Sequence, residues 1–207
     1  MSLSPEEKEL CLQELASACA SCEQCGLHTG RGKSVFADGN PHAQIMLVGE
    51  GPGQTEDQLG LPFVGKAGKL LDKILGSVGL DRKHNIYIAN VVKCRPPKNR
   101  TPTAAEMSAC VPYLEEQIAL VQPQIIILAG ATALQGLTGQ KLSITRARGQ
   151  WIQWQGIWCM PIFHPAYLLR NESREVGSPK WQTWQDVKKI AEKYQELKLT
   201  NSDQVNN

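Results

Sequence analysis

Ile45-Met-Leu-Val-Gly-Glu-Gly-Pro-Gly53 is the stretch that decides the fold, because an apolar run ends there abruptly in three glycines, a proline and one carboxylate. A β-branched and leucine-rich run of this length is typical of a buried parallel strand, and the glycines with Pro52 are typical of a sharp turn after it. Ligands in open α/β sheets bind at the carboxyl ends of such strands. The glycines would let a ligand approach the backbone beside the Glu50 carboxylate. Taken alone, the stretch fits a ligand site and a plain turn with a solvated glutamate equally well.

Strands and helices alternate on both sides of this stretch. The residue pattern predicts strands at 44–49, 85–92, 124–129, 149–155 and 157–163 and helices at 5–20, 66–78, 103–120, 130–137 and 180–197. Thr103 and Glu106 form a predicted capping box, while Pro112 predicts a kink or break in the same helix. The alternation predicts a three-layer α/β/α fold with a parallel sheet. We expect one domain over residues 1–198 and a disordered tail at 199–207.

The composition of the 207 residues is that of a globular protein, with 42% hydrophobic and 20% charged side chains. No apolar run is long enough to span a membrane, and acidic residues stand where a signal peptide would need an apolar core. These features predict a cytoplasmic protein with no membrane partner. The net charge is only +2, but residues 82–105 and 117–171 contain bases and no acid. Such segments suit a surface that faces phosphates, although chance clustering on a solvated face gives the same pattern.

Polar side chains follow three of the predicted strands. Glu50 follows the first, Asn90 lies near the end of the second, and His164 follows the last. A carboxylate, an amide and an imidazole beside a glycine turn indicate a site for a planar, hydrogen-bonding substrate, with Phe63 as a stacking face. Each residue alone has an ordinary structural explanation, so the prediction depends on their joint placement.

Seven cysteines in a chain without a secretion signal are more typical of metal ligands or buried thiols than of disulfides. Two pairs could supply four thiolates, namely Cys22 with Cys25 and Cys94 with Cys110. Four thiolates suit either a tetrahedral zinc ion or a [4Fe-4S] cluster, and the spacing does not separate the two. For the remaining three we expect buried thiols: Cys11, Cys19 and Cys159.

Four motifs in this order, together with the four paired cysteines, carry a resemblance to a known family. They are Gly49-Glu-Gly-Pro-Gly53, Leu61-Pro-Phe-Val-Gly65, Asn90-Val-Val-Lys-Cys-Arg-Pro-Pro97 with Asn99-Arg100, and His164-Pro-Ala-Tyr-Leu168. Over residues 20–195 the chain resembles the family 4 uracil-DNA glycosylases. The resemblance implies excision of uracil from DNA to leave an abasic site, in a fold with a four-stranded parallel sheet between helices. It also implies that the four cysteines hold one structural [4Fe-4S] cluster per chain.

Chemistry assigns roles to the residues at the strand ends if the substrate is uracil. The base must leave the duplex, after which Phe63 could stack on it and the Asn90 amide could accept from N3–H and donate to O4. Cytosine presents the opposite hydrogen-bonding pattern and would leave buried polar groups unpaired. Bond cleavage yields a uracil anion, for which His164 and the backbone N–H at Gly51 are the expected donors.

Two carboxylates are candidates for further roles. Glu50 is expected to orient or activate the attacking water. Other members of the superfamily carry Asp or Asn at the position of Gly51, so this chain departs from their pattern in the same turn. The resemblance assigns to Glu56 the exclusion of the thymine methyl group, a role that we rank lower.

The segment after His164 and the proline-rich basic loop are expected to contact DNA. Leu168, Leu169 and Arg170 could enter the duplex as the base leaves, although the leucines could instead pack against the last helix. Three basic residues are expected to bind phosphates: Arg95, Lys98 and Arg100.

The expected partner is uracil-containing DNA, single- or double-stranded, and the expected state is a monomer. The alternative is a non-catalytic DNA-binding protein that contains a metal or an iron–sulfur cluster. A nucleotide-phosphate enzyme is disfavoured because the chain has neither a Gly-x-Gly-x-x-Gly motif nor a Lys-Ser/Thr phosphate loop.

Overall fold

The computed structural model describes the backbone of residues 3–205 and the side chains of residues 3–200. Its strands are β1 (Asp38–Gly39), β2 (Ile45–Gly49), β3 (Ile86–Asn90), β4 (Ile125–Ala129), β5 (Ile152–Trp154) and β6 (Ile157–Ile162). They form one sheet in the order β1-β3-β2-β4-β6-β5. The four central strands are mutually parallel, whereas β1 and β5 pair antiparallel at the edges. The α/β/α class is therefore confirmed, but the sheet has six strands and not four.

The helices are α1 (Pro5–Ala20), α2 (Gln54–Leu59), α3 (Lys66–Gly76), α4 (Ala104–Val121), α5 (Ala131–Thr138), α6 (Ile144–Ala147), α7 (Pro165–Leu169) and α8 (Pro179–Val205). Short 3₁₀ turns lie at Gly26–Gly30 and Pro97–Asn99. Sequence patterns predict the five long helices and miss α2, α6 and α7, which are too short to show a period. Within residues 3–205, no helix has the length and apolar character needed to cross a membrane.

Helices α4 and α8 differ in part from the predictions made from the sequence. The Thr103–Glu106 capping box is present, with the Thr103 N–H donating to Glu106 at 2.7 Å. The helix continues through Pro112, so the predicted break does not occur. The last helix continues to Val205, inside the segment predicted as a disordered tail, and residues 206–207 lie outside the described residues. The division of the chain at residue 198 stays a prediction.

Two apolar layers sandwich the sheet because alternate strand residues face opposite sides. On β2, Met46 and Val48 pack towards α4 and α5, whereas Ile45 and Leu47 pack towards α3 and α8. All five residues of β2, β3 and β4 are buried, as expected for central parallel strands covered on both faces. This arrangement brings the carboxyl ends of the central strands to one edge of the sheet.

Candidate active site

A pocket of about 610 Å³ opens at the carboxyl edge of the central strands. Eight residues that the sequence singles out line it together: Glu50, Gly51, Glu56, Phe63, Asn90, Arg100, His164 and Arg170. The convergence of the three polar strand ends is therefore confirmed as geometry. The chemical role open to each side chain depends on the contacts that it makes.

Asn90 lies at the floor of this pocket, directly opposite Gly49 in the parallel pairing of β2 with β3. Its side chain is buried, and its Oδ1 atom has no hydrogen-bond partner within the protein. A Cβ atom on Gly49 would lie 2.4 Å from that oxygen and 2.5 Å from the Phe63 ring, so only glycine fits. An unpaired buried acceptor is unfavourable by about 1–3 kcal/mol, so this oxygen is available to a hydrogen-bond donor that enters the pocket.

Phe63 forms a second wall of the pocket through an unusual backbone conformation. Its φ angle is +53°, in the left-handed region that side chains other than glycine rarely adopt. Glu56, at the first turn of α2, accepts hydrogen bonds from the N–H groups of Val64 and Gly65 at 3.0 and 2.7 Å. The structure thus gives Glu56 a contact that the sequence did not predict, since its carboxylate holds the turn that carries Phe63.

His164 precedes α7 and acts as its N-cap. Its Nδ1 accepts from the backbone N–H of Ala166 at 3.2 Å, so the proton of the neutral ring lies on Nε2. Burial, and after it the positive charge of Arg170, lower the pKa of His164 from 6.5 to about 4, while the charge of Glu56 acts in the opposite direction. The imidazole is therefore neutral near pH 7 and offers one N–H donor. Its ring centre lies 5.9 Å from that of Phe63.

Glu50 is held by a residue that the sequence analysis missed. Its Oε2 accepts a short hydrogen bond from the hydroxyl of Thr132, in the first turn of α5. That turn follows β4, the one central strand for which no polar strand-end residue was predicted, and its carboxyl end lies at the same sheet edge as the others. The segment Gly130-Ala-Thr132 directly after a strongly predicted strand was the available signal for this contact.

The two leucines after His164 have opposite environments. Leu168 is fully buried, which agrees with the alternative in which it packs inside the protein and does not support a contact with DNA. Leu169 is 40% exposed and Arg170 lines the pocket. Neighbouring helical residues point about 100° apart, and α7 packs with the side of Leu168 against the protein.

The basic residues predicted to bind phosphates differ in whether they already pair with other side chains of the protein. Arg100 makes a bidentate pair with Glu106 at 2.7 Å, and the Arg95 Nε donates to Asn99 at 2.7 Å. Lys98 is exposed and has a left-handed backbone conformation. Two other bases of the acid-free segment, Arg82 and Lys93, are turned into the protein, so this segment is less of a basic surface than its composition suggests.

The four predicted ligand cysteines line one small pocket between the start of the chain and the loop after β3: Cys22, Cys25, Cys94 and Cys110. Cys19 also lines it. Arg31 donates to the Cys94 sulfur at 3.4 Å, and the backbone N–H of Lys93 donates to the Cys110 sulfur at 3.2 Å. Burial raises the pKa of the Cys110 thiol to about 11, so a bound metal would be needed to keep it as a thiolate.

Four cysteine sulfurs are a donor set that either a zinc ion or a [4Fe-4S] cluster could use. Within residues 3–205, no group of three or more histidine, cysteine or acidic residues could hold a metal ion. Hydrogen bonds to sulfur, as at Cys94 and Cys110, are among the contacts that tune a bound iron–sulfur cluster.

Comparison with known proteins agrees with this geometry. Residues 36–188 match the family described as the Uracil DNA glycosylase superfamily. The chain is 46% identical over 171 residues to a type-4 uracil-DNA glycosylase of Thermotoga maritima, covering 82% of this chain and 88% of the relative. It is 38% identical over 190 residues to a type-4 uracil-DNA glycosylase of Archaeoglobus fulgidus, covering 87% and 92%. A type-5 uracil-DNA glycosylase of Pyrobaculum aerophilum is 30% identical over 159 residues, covering 69% and 70%. The chain belongs to the uracil-DNA glycosylase superfamily and, within it, to the type-4 uracil-DNA glycosylases.

Proposed function

We propose that this protein is a DNA repair enzyme that hydrolyses the N-glycosidic bond of uracil in DNA and leaves an abasic site. The observation that carries the proposal is the unpaired Oδ1 of Asn90 at the floor of a pocket walled by Phe63 and His164. A uracil base supplies the N–H that this oxygen lacks, and its flat ring suits the aromatic wall.

Recognition of the base depends on which hydrogen bonds it can form with the Asn90 amide. Uracil has an N3–H between two carbonyl groups, so the Asn90 amide can accept from N3–H and donate to O4. Cytosine has an acceptor at N3 and an amino group in place of O4, so it would leave the Asn90 oxygen unpaired in a buried site. Methyl exclusion by Glu56 stays a second proposed role, because the same carboxylate already binds the Phe63 turn.

Catalysis requires stabilisation of the charge that develops on the departing base. The Nε2–H of neutral His164 and the backbone N–H at Gly51 are the proposed donors to uracil O2. Removing one donor of this kind typically weakens transition-state stabilisation by about 2.7–4 kcal/mol. Glu50, fixed by Thr132, is the proposed residue that orients water towards C1′ and stabilises the positive sugar.

DNA is proposed to enter across the mouth of the pocket. Arg95, Lys98 and Arg100 remain the proposed phosphate contacts. Arg170 remains a proposed DNA contact in the segment after His164, where we now prefer exposed Leu169 to buried Leu168 for entering the duplex. A monomeric state and a cytoplasmic location remain predictions from the sequence.

A [4Fe-4S] cluster is the cofactor that we propose for the four cysteines. Such a cluster would cross-link the N-terminal segment to α4 and to the loop after β3, with no part in bond cleavage. Cys94 lies four residues beyond Asn90, so this cross-link would also fix the end of β3, where Asn90 is proposed to bind the base.

The test is incubation with an oligonucleotide that contains one uracil, followed by alkali. The proposal predicts cleavage at the uracil and release of the free base, with neither from the matched thymine oligonucleotide. Asn90→Ala and His164→Gln should retain DNA binding and lose most of the cleavage. If wild-type protein binds the DNA and never cleaves it, the non-catalytic alternative is correct.

A further inference from the structure

Arg82 lies outside the pocket, yet its side chain reaches the backbone that presents Phe63. Its Nη1 donates to the carbonyl of Pro62 at 3.2 Å, and its Nη2 donates to the carbonyl of Phe63 at 3.0 Å. The same guanidinium binds Asp38 on β1 at 2.6 Å and Asp72 on α3 at 2.8 Å. Arg82 therefore ties the loop to two rigid elements of the fold.

The loop is held from two sides by opposite charges. Glu56 accepts from the N–H groups of Val64 and Gly65, whereas Arg82 donates to the carbonyl groups of the two residues before them. Together the two side chains bind four consecutive residues of the backbone. This is the part of the chain in which Phe63 adopts its left-handed conformation, which needs support from its surroundings to persist.

Helix α3 adds a third constraint at the same carbonyl group. A Cβ atom on Gly68 would lie 1.8 Å from the Phe63 oxygen, so any side chain there would displace the loop. The Phe63 carbonyl is thus fixed between the Arg82 guanidinium and the bare backbone of Gly68. These contacts leave the ring buried and 5.9 Å from the His164 ring.

We infer that Arg82 is a positioning residue, which sets the stacking face for the substrate by holding the left-handed turn at Phe63. The inference rests on the proposed function and extends it to a residue that does not touch the substrate. It also explains why Arg82, which lies in a basic acid-free segment, is not available for phosphates.

A double-mutant cycle between Arg82 and Phe63 tests the inference. Arg82→Met should lower kcat/KM for a single-uracil oligonucleotide by about 10- to 100-fold, the scale expected for a misplaced binding group. In a Phe63→Ala background the same substitution should lower kcat/KM by less than about twofold, because the ring that Arg82 positions is gone. Product inhibition by free uracil should weaken in Arg82→Met, which a loss of global stability alone would not cause.

Three further variants separate positioning from folding. Asp72→Asn removes one ion pair of Arg82 and leaves its two bonds to the loop, so it should retain wild-type kcat/KM. Arg82→Lys keeps one positive donor and should lose less activity than Arg82→Met. Gly68→Ala should reproduce the loss of kcat/KM with Arg82 intact. If Arg82→Met does not fold, Gly68→Ala and Arg82→Lys replace it as the test variants.

The outcomes distinguish this inference from the function on which it rests. A wild-type chain that leaves uracil-containing DNA intact overturns the proposed function, and the inference with it. A wild-type chain that cleaves, together with folded Arg82 and Gly68 variants of unchanged kcat/KM, overturns the inference alone. Equal losses from Arg82→Met with and without Phe63 overturn it as well.

Discussion

Replacing His164 with glutamine should make the folded protein less sensitive to acid. The pKa of His164 is lowered from 6.5 to about 4, chiefly by burial and then by Arg170. The unfolded chain would bind a proton at the ordinary pKa, so it takes up that proton at a higher pH than the folded protein does. The stabilising contribution of neutral His164 is present above about pH 6.5 and is lost as the pH falls towards 4.

The size of this effect follows from the two pKa values. A lowering from 6.5 to about 4 corresponds to roughly 3 kcal/mol over the whole range. Between about pH 7 and pH 5 the unfolded state gains most of its proton while the folded state gains little. The expected loss of unfolding free energy over this interval is about 2 kcal/mol from His164 alone.

Urea unfolding at about pH 7 and pH 5 measures this contribution. Other groups titrate in both proteins, so the quantity of interest is the difference between wild type and His164→Gln. Wild type should lose about 2 kcal/mol more than the variant. Arg170→Met is the matched control, because it raises the pKa of a histidine that is still present and should give an intermediate loss. Equal losses in wild type and His164→Gln would refute the assignment of a buried neutral imidazole.

Three further substitutions test the other parts of the site. Asn90→Ala should lower kcat/KM for uracil by about 10- to 100-fold, on the scale of one or two lost hydrogen bonds, and unchanged relative rates for uracil, thymine and cytosine would contradict its role in recognition. Thr132→Val keeps the shape of the side chain and frees Glu50, so single-turnover cleavage should slow by about 2- to 10-fold while inhibition by free uracil stays constant. Cys110→Ser should abolish the visible absorption of anaerobically purified protein and lower its melting temperature. Cys19→Ser, in the same pocket, should keep the colour. Stoichiometric zinc in colourless wild-type protein would refute the cluster.

The sequence was informative wherever local chemistry and chain order were enough. The run that ends at Gly49 had to be a buried strand, and Thr103 with Glu106 had to start a helix, since both depend on neighbouring residues only. The meeting of Asn90 with His164 could also be predicted, because parallel strands place their carboxyl ends at one edge of the sheet.

Contacts between distant segments could not be predicted from the sequence in this way. A run of bases without acids looks the same whether its members face water or the protein, and the structure turns Arg82 and Lys93 inward. Lys93 donates to the Asn90 carbonyl at 2.8 Å, and its other partner, Gln117, is 24 residues further along the chain. The sequence carries no local signal for such a pairing.

The sequence by itself determined the α/β class, the glycine turn and the meeting of Glu50, Asn90 and His164 at one edge of the sheet, because these follow from hydrophobic period, turn chemistry and strand order. Only the tertiary structure decided the orientation of individual side chains. It buried Leu168 and exposed Leu169, joined Thr132 to Glu50, and enclosed the Phe63 turn between Glu56 and Arg82. The physical reason is that side-chain direction depends on which surfaces pack together, and packing joins residues that are far apart in the chain.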